Sequence, residues 1–81
     1  MNKVIVKLYT RKNCPLCVKG KAVLVNLKSE FDFVLEEVDI YNDDRLTEEY
    51  GLMIPVVEID GEEVQFGQID RQTISHFLQK R

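Results

Sequence analysis

Cys14-Pro15-Leu16-Cys17 is the segment of this 81-residue chain whose residue types and spacing can do chemistry. Residues three apart on a helix share a face, so two such sulfurs can close a disulfide with little backbone movement. Pro15 suits a first helical position, which makes Cys14 the N-cap. A thiol there meets unpaired backbone N–H groups and the positive end of the helix dipole, and both favour thiolate. Arg11 and Lys12, with Lys19 as a third candidate, add positive charge nearby. An ordinary thiol of pKa about 8.5 is about 3% ionised at pH 7, against about 90% for one near 6. One exposed cation ~7 Å away at an effective dielectric of ~60 contributes about 0.8 kcal/mol. Two such cations and the helix terminus together span most of that range.

Roles follow from position. Cys14 is the nucleophile, and its thiolate attacks a target disulfide to give a mixed disulfide. Cys17, one turn inside the helix, is expected to stay a thiol until it attacks the Cys14 sulfur and releases the reduced target. Two other uses stay open from the residues alone. The cysteines could supply two soft ligands for zinc or copper(I), or bridge an iron–sulfur cluster in a dimer. His76 is the single histidine and there is no third cysteine, so a metal would need carboxylates or a second chain. Both cysteines could also be small buried hydrophobes.

The charge distribution bears on the same chemistry. Residues 1–29 carry seven basic side chains and no acidic one; residues 30–70 hold all fourteen acids against Arg45. Both cysteines lie in the basic segment. The net charge of −3 argues against nucleic acid as a partner. No apolar run reaches the ~20 residues of a membrane helix, and the start lacks the apolar stretch of a secretory signal. Two cysteines are too few for a stapled secreted scaffold, so the expected compartment is the cytoplasm and the expected state a monomer.

The elements that must position the cysteines read as follows. Lys3 to Tyr9 is a β-branched run suited to a strand. Thr10 to Asn13 is a polar loop, and a helix runs from Pro15 to about Ser29. In that helix Cys17, Leu24 and Leu27, and also Val18, Ala22 and Val25, recur at helical spacing. Phe31 to Ile40 is a second strand, apolar on both faces. A short helix follows, capped by Asp43 or Asp44, with Leu46 and Tyr50 inward and Gly51 just past its end. Pro55 opens a third strand, Val56 to Ile59. Asp60-Gly61 is a hairpin turn, and Glu62 to Phe66 returns. Asp70 caps a last helix, with Ile69 and Ile74 as a hydrophobic staple and Ile74, Phe77 and Leu78 as its buried stripe. The order β-α-β-α-β-β-α makes a single α/β sandwich domain around a four-stranded mixed sheet, with helices on both faces.

In these residues the chain resembles the glutaredoxins, over nearly its whole length. Cys14-Pro15-Leu16-Cys17 is similar to their C-P-Y-C motif, and Arg11 stands where they commonly have a lysine. Met53-Ile54-Pro55 is similar to their T-V-P segment. The resemblance implies a thioredoxin-like three-layer fold, a cis Ile54–Pro55 bond beside the cysteines, and a substrate strand paired to the Ile54 backbone. It also implies substrate contacts at Arg11, Lys12, Pro15, Leu16, Ile54, Pro55, Gly67, Gln68 and Asp70. Its partners would be disulfide-containing proteins, with no bound cofactor and with glutathione or thioredoxin reductase as reductant. Gly67-Gln68-Ile69-Asp70-Arg71 departs from the G-G-x-D-D that holds glutathione: Gln68 replaces a glycine and Arg71 an aspartate. An arginine facing the γ-glutamyl ammonium would repel it, so weak to moderate use of glutathione is expected, and Arg71, Arg11 and Lys12 are candidates to meet an acidic group on a protein substrate.

Other residues read as structural. His76 lies off the buried stripe and has no catalytic role. Tyr9 and Tyr41 either border the site or pack with a wet hydroxyl, and Tyr50 belongs to the core. Glu36, Glu37 and Asp39 read as an exposed strand end, although a carboxylate reaching Cys17 could relay a proton. Copper chaperones also place C-x-x-C between strand and helix, but their order continues β-β-α-β, and Lys12 stands where they carry methionine.

Overall fold

Alternation along Val6-Lys7-Leu8-Tyr9 sends Val6 and Leu8 into one core and Tyr9 into another, across a single strand. In the computed structural model, which describes residues 3–80, that strand is β1 (Val4–Thr10). The remaining elements are α1 (Pro15–Leu27), β2 (Phe33–Asp39), a 3-10 turn (Ile40–Asn42), α2 (Asp44–Tyr50), β3 (Val56–Ile59), β4 (Glu62–Phe66) and α3 (Arg71–Gln79). The sheet order is β2-β1-β3-β4. β1 pairs parallel with β2 and antiparallel with β3, and β3 pairs antiparallel with β4. This is the thioredoxin-like mixed sheet and element order that the sequence implied.

The larger core lies between the sheet and the α1/α3 layer, where Leu24, Leu27, Ile74 and Leu78 meet Val6, Leu8, Phe33, Val57 and Ile59. Each fully buried leucine or isoleucine there contributes about 1.5–3 kcal/mol of hydrophobic stabilisation. Ile69 and Ile74 both join this core, as a staple across the Asp70 cap requires. The smaller core packs Tyr9, Ile40, Tyr50 and Val56 under α2. Tyr9 and Tyr50 stack with ring centroids 4.7 Å apart, and the Tyr50 hydroxyl donates to Glu58. Burial first, then the Glu58 carboxylate, pushes the Tyr9 phenol up to about 12. Both rings are core residues.

Four local expectations need correction. Val18 and Val25 are 69% and 50% exposed, so only the Cys17-Leu24-Leu27 stripe of α1, joined by Gly20, is buried. The second apolar series faces solvent because, among the described residues, no element packs on that side. β2 starts at Phe33 rather than Phe31 and ends at Asp39, whose carboxylate accepts the Tyr41 N–H and turns the chain. Gly51 is the C-cap itself with right-handed φ of −55°, so no left-handed exit is made there. Finally, α2 has seven residues and shields only part of its face: Ile5 and Val34, register partners on β1 and β2, each stay 41% exposed.

Candidate active site

Strand β1 ends at Thr10, the loop 11–13 turns through Asn13 at φ +57°, and α1 begins at Pro15. Cys14 is therefore the N-cap, in extended conformation, and its sulfur accepts the Cys17 N–H at 3.2 Å. The cap that serine or aspartate usually supplies is here a sulfur. That hydrogen bond and the helix terminus both favour negative charge on Cys14. The two sulfurs stand at disulfide distance, with the Cα atoms 5.2 Å apart. Cys14 retains 7% exposure and Cys17 3%, so both side chains are largely buried.

The sulfurs border a cleft of about 620 Å³. Loop residues Thr10 to Asn13 form one wall, Pro15, Val18 and Lys21 of α1 another, and Glu37 and Asp39 of β2 the third. Arg11 and Lys12 are where the sequence suggested. The lysine of α1 that reaches the cleft is Lys21, which pairs with Glu37 at 3.1 Å, and not Lys19. One guanidinium nitrogen of Arg11 donates to the Tyr41 hydroxyl at 3.2 Å, which puts Tyr41 on the rim and leaves Tyr9 in the core. Leu16 is 45% exposed on the turn between the cysteines. Glu37 and Asp39 are more than an exposed strand end. The parallel register sets Leu8 opposite Glu37 and Thr10 opposite Asp39, so β2 carries both to the mouth of the site. Only strand pairing reveals this.

The second group of expected residues gathers around the segment before β3 and the turn into α3. The Ile54–Pro55 bond is cis, and Pro55 is fully buried. Its ring lies against Gly20, one turn beyond Cys17, and does not line the cleft. The Ile54 amide donates to the Tyr50 carbonyl at 3.1 Å. Gly67, at φ +79°, sends its amide to the carbonyls of Met53 and Pro55, so it braces the 53–55 segment. Gln68 is exposed, and Asp70 caps α3 by accepting the Thr73 N–H at 2.9 Å. Arg71 lies elsewhere: its guanidinium is held by Glu30 and Asn26 near the far end of α1. It is not among the residues that line the cleft with the cysteines.

Gly20 is the residue that sequence reading passed over. A Cβ there would meet Ile69 Cγ1 at 2.9 Å and the Pro55 ring at 3.6 Å, so glycine lets α1 close on both. An isolated glycine inside a helical pattern was the available signal. Among the described residues, no group of three His, Cys, Asp or Glu side chains could hold a metal, and no helix is long and apolar enough to cross a membrane.

A cysteine pair at disulfide distance, opening a helix of a thioredoxin-like sandwich, defines a protein of thiol-based redox chemistry. The chain belongs to the family described as glutaredoxin-like domain (DUF836), whose model matches residues 5–80. It is 33% identical over 79 residues to the uncharacterized protein Rv0508 of Mycobacterium tuberculosis, covering 91% of this chain and 81% of that one. It is 29% identical over 84 residues to a thioredoxin of Methanocaldococcus jannaschii, covering 100% and 99% respectively. The solution structure of protein Ne2328 from Nitrosomonas europaea superposes with a TM-score of 0.83 at 26% identity, covering 96% of this chain and 94% of that one.

Proposed function

We propose that the protein is a glutaredoxin-like thiol–disulfide oxidoreductase that reduces disulfides through Cys14 and Cys17, working as a monomer in the cytoplasm. The observation that carries this reading is the Cys17 N–H donated to the Cys14 sulfur at the start of α1, with the second sulfur at bonding distance. In the reduced state Cys14 is the thiolate. It attacks one sulfur of the target, whose other sulfur leaves as a thiol after taking a proton. Cys17 then gives up its proton and attacks the Cys14 sulfur, so two electrons pass to the target and the protein pair is oxidised. Arg11 and Lys12 favour the Cys14 anion, and the Met53–Pro55 segment braced by Gly67 is the edge along which a protein substrate lies.

The reductant that resets the pair is glutathione or thioredoxin reductase. With Arg71 tied to Glu30, the remaining obstacle to glutathione is Gln68 and the missing second aspartate. Insulin reduction is the test, run once with glutathione and its reductase and once with thioredoxin reductase. Turnover in either system supports the reading and names the donor. One copper or zinc held per chain after anaerobic purification, with no exchange in either system, would make the protein a metal carrier instead.

A further inference from the structure

Three ion pairs engage cations in and around α1: Lys3 with Asp32, Lys21 with Glu37, and Arg71 with Glu30. Among the described residues, Arg11 and Lys12 have no carboxylate partner and Asp39 has no cationic one, although all three line the same cleft beside Cys14. Tyr41 contacts two of them. Its phenol oxygen accepts from Arg11, while its backbone N–H donates to one Asp39 oxygen at 2.9 Å and leaves the other free. The result is a small cavity lined by the unpaired cations Arg11 and Lys12, by Asp39 and by the Cys14 sulfur. Its volume of about 620 Å³ suits a small molecule.

We propose that this cleft is a bipolar subsite for small amino-acid disulfides, which set a carboxylate against Arg11 and Lys12 and an ammonium against Asp39. The proposal deepens the oxidoreductase reading and rests on it. The occupant is zwitterionic because each single-charge alternative meets a like charge: a dianion faces Asp39, and a dication faces Arg11 and Lys12. The chemistry is one full exchange. Cys14 thiolate bonds to one sulfur of the small disulfide and expels the other half as a thiol. Cys17 then displaces the second half, leaving the protein disulfide and two small thiols, with two electrons transferred and the two thiol protons accounted for.

The experiment is a single turnover at pH 7. Reduced protein is mixed with cystine, cystamine, 3,3′-dithiodipropionate or hydroxyethyl disulfide, and acid-quenched samples are read by mass spectrometry. Each rate is divided by that of the same disulfide with free mercaptoethanol, which removes leaving-group differences. Cystine is expected to exceed each of the other three by about tenfold, the size of one charge-assisted contact. Asp39→Asn and Arg11→Gln should each reduce the ratio of the cystine rate to the hydroxyethyl disulfide rate by a similar factor. Rates within about threefold across all four overturn the subsite and leave the oxidoreductase reading standing. The dianion or the dication in first place also overturns it. If none oxidises the pair, both readings fall together.

Discussion

On the proposed reading, one backbone hydrogen bond at Cys14 separates the reactive thiol from the ordinary one. The Cys17 amide donates into the Cys14 sulfur, whereas Cys17 sits a turn deeper and, among the described residues, has no such donor to its own sulfur. Alkylation of the reduced protein across a pH series should therefore label Cys14 first, with an apparent pKa below that of a free thiol. Cys17→Ser should keep that labelling and trap a mixed disulfide with substrate, and Cys14→Ser should lose both. Preferential labelling of Cys17 would reverse the two roles. Arg11 acts at the same scale. Its guanidinium rests on the Tyr41 hydroxyl, a neutral partner, so its charge stays available at the mouth of the cleft.

Helix α3 shows how an element can be legible in its ends and misread in its direction. Asp70 caps it as expected, but Arg71, the next residue, turns back to Asn26 on α1 and to Glu30 just past its end. A pair this exposed contributes little stability, at most about 1 kcal/mol, and its main consequence is to keep the arginine away from the site. The Thr73 hydroxyl, then the Thr73 amide, holds the Asp70 carboxyl below the usual carboxylate range. A carboxyl depressed on folding stabilises the fold above its unfolded value of about 3.9 and loses that contribution as pH falls through the lower folded value. Asp70→Ala should thus melt below wild type at pH 7, with a narrower gap at acid pH, where the carboxyl begins to protonate. Thermal melts at the two pH values check this, and a gap of equal size at both would remove the charged cap from the account.

At the scale of the molecule, Gly20 joins parts that are distant in sequence. It lets α1 sit against Ile69 before α3 and against Pro55 before β3. Gly20→Ala sets two opposing effects against each other. Helix propensity favours alanine by up to about 1 kcal/mol. A methyl placed 2.9 Å from Ile69 Cγ1 overpacks the contact, at a typical cost of about 1–3 kcal/mol. Overpacking should win, because the crowded atom belongs to a branched side chain already in the core. A lower urea midpoint with an unchanged slope is the expected result, and a raised midpoint would mean that Ile69 yields freely.

Local chemistry was enough to read much of this protein from its sequence. Pro15 after Cys14, Asp60-Gly61, and Asp70 between Ile69 and Ile74 act within a few residues of chain. They placed the N-cap, the hairpin and the last helix where the structure has them. The cysteine spacing likewise decided that the two sulfurs could meet. Long-range geometry decided the rest. Glu37 and Asp39 reach the site only because β2 pairs parallel to β1 in one register, and a shift of one residue would turn both carboxylates to the opposite face. Arg71 pairs with Glu30 because α3 packs beside α1, and Val18 and Val25 face water because, among the described residues, no element packs on that side of α1. Periodicity shows which residues share a face, but which face is covered depends on elements far away in the chain.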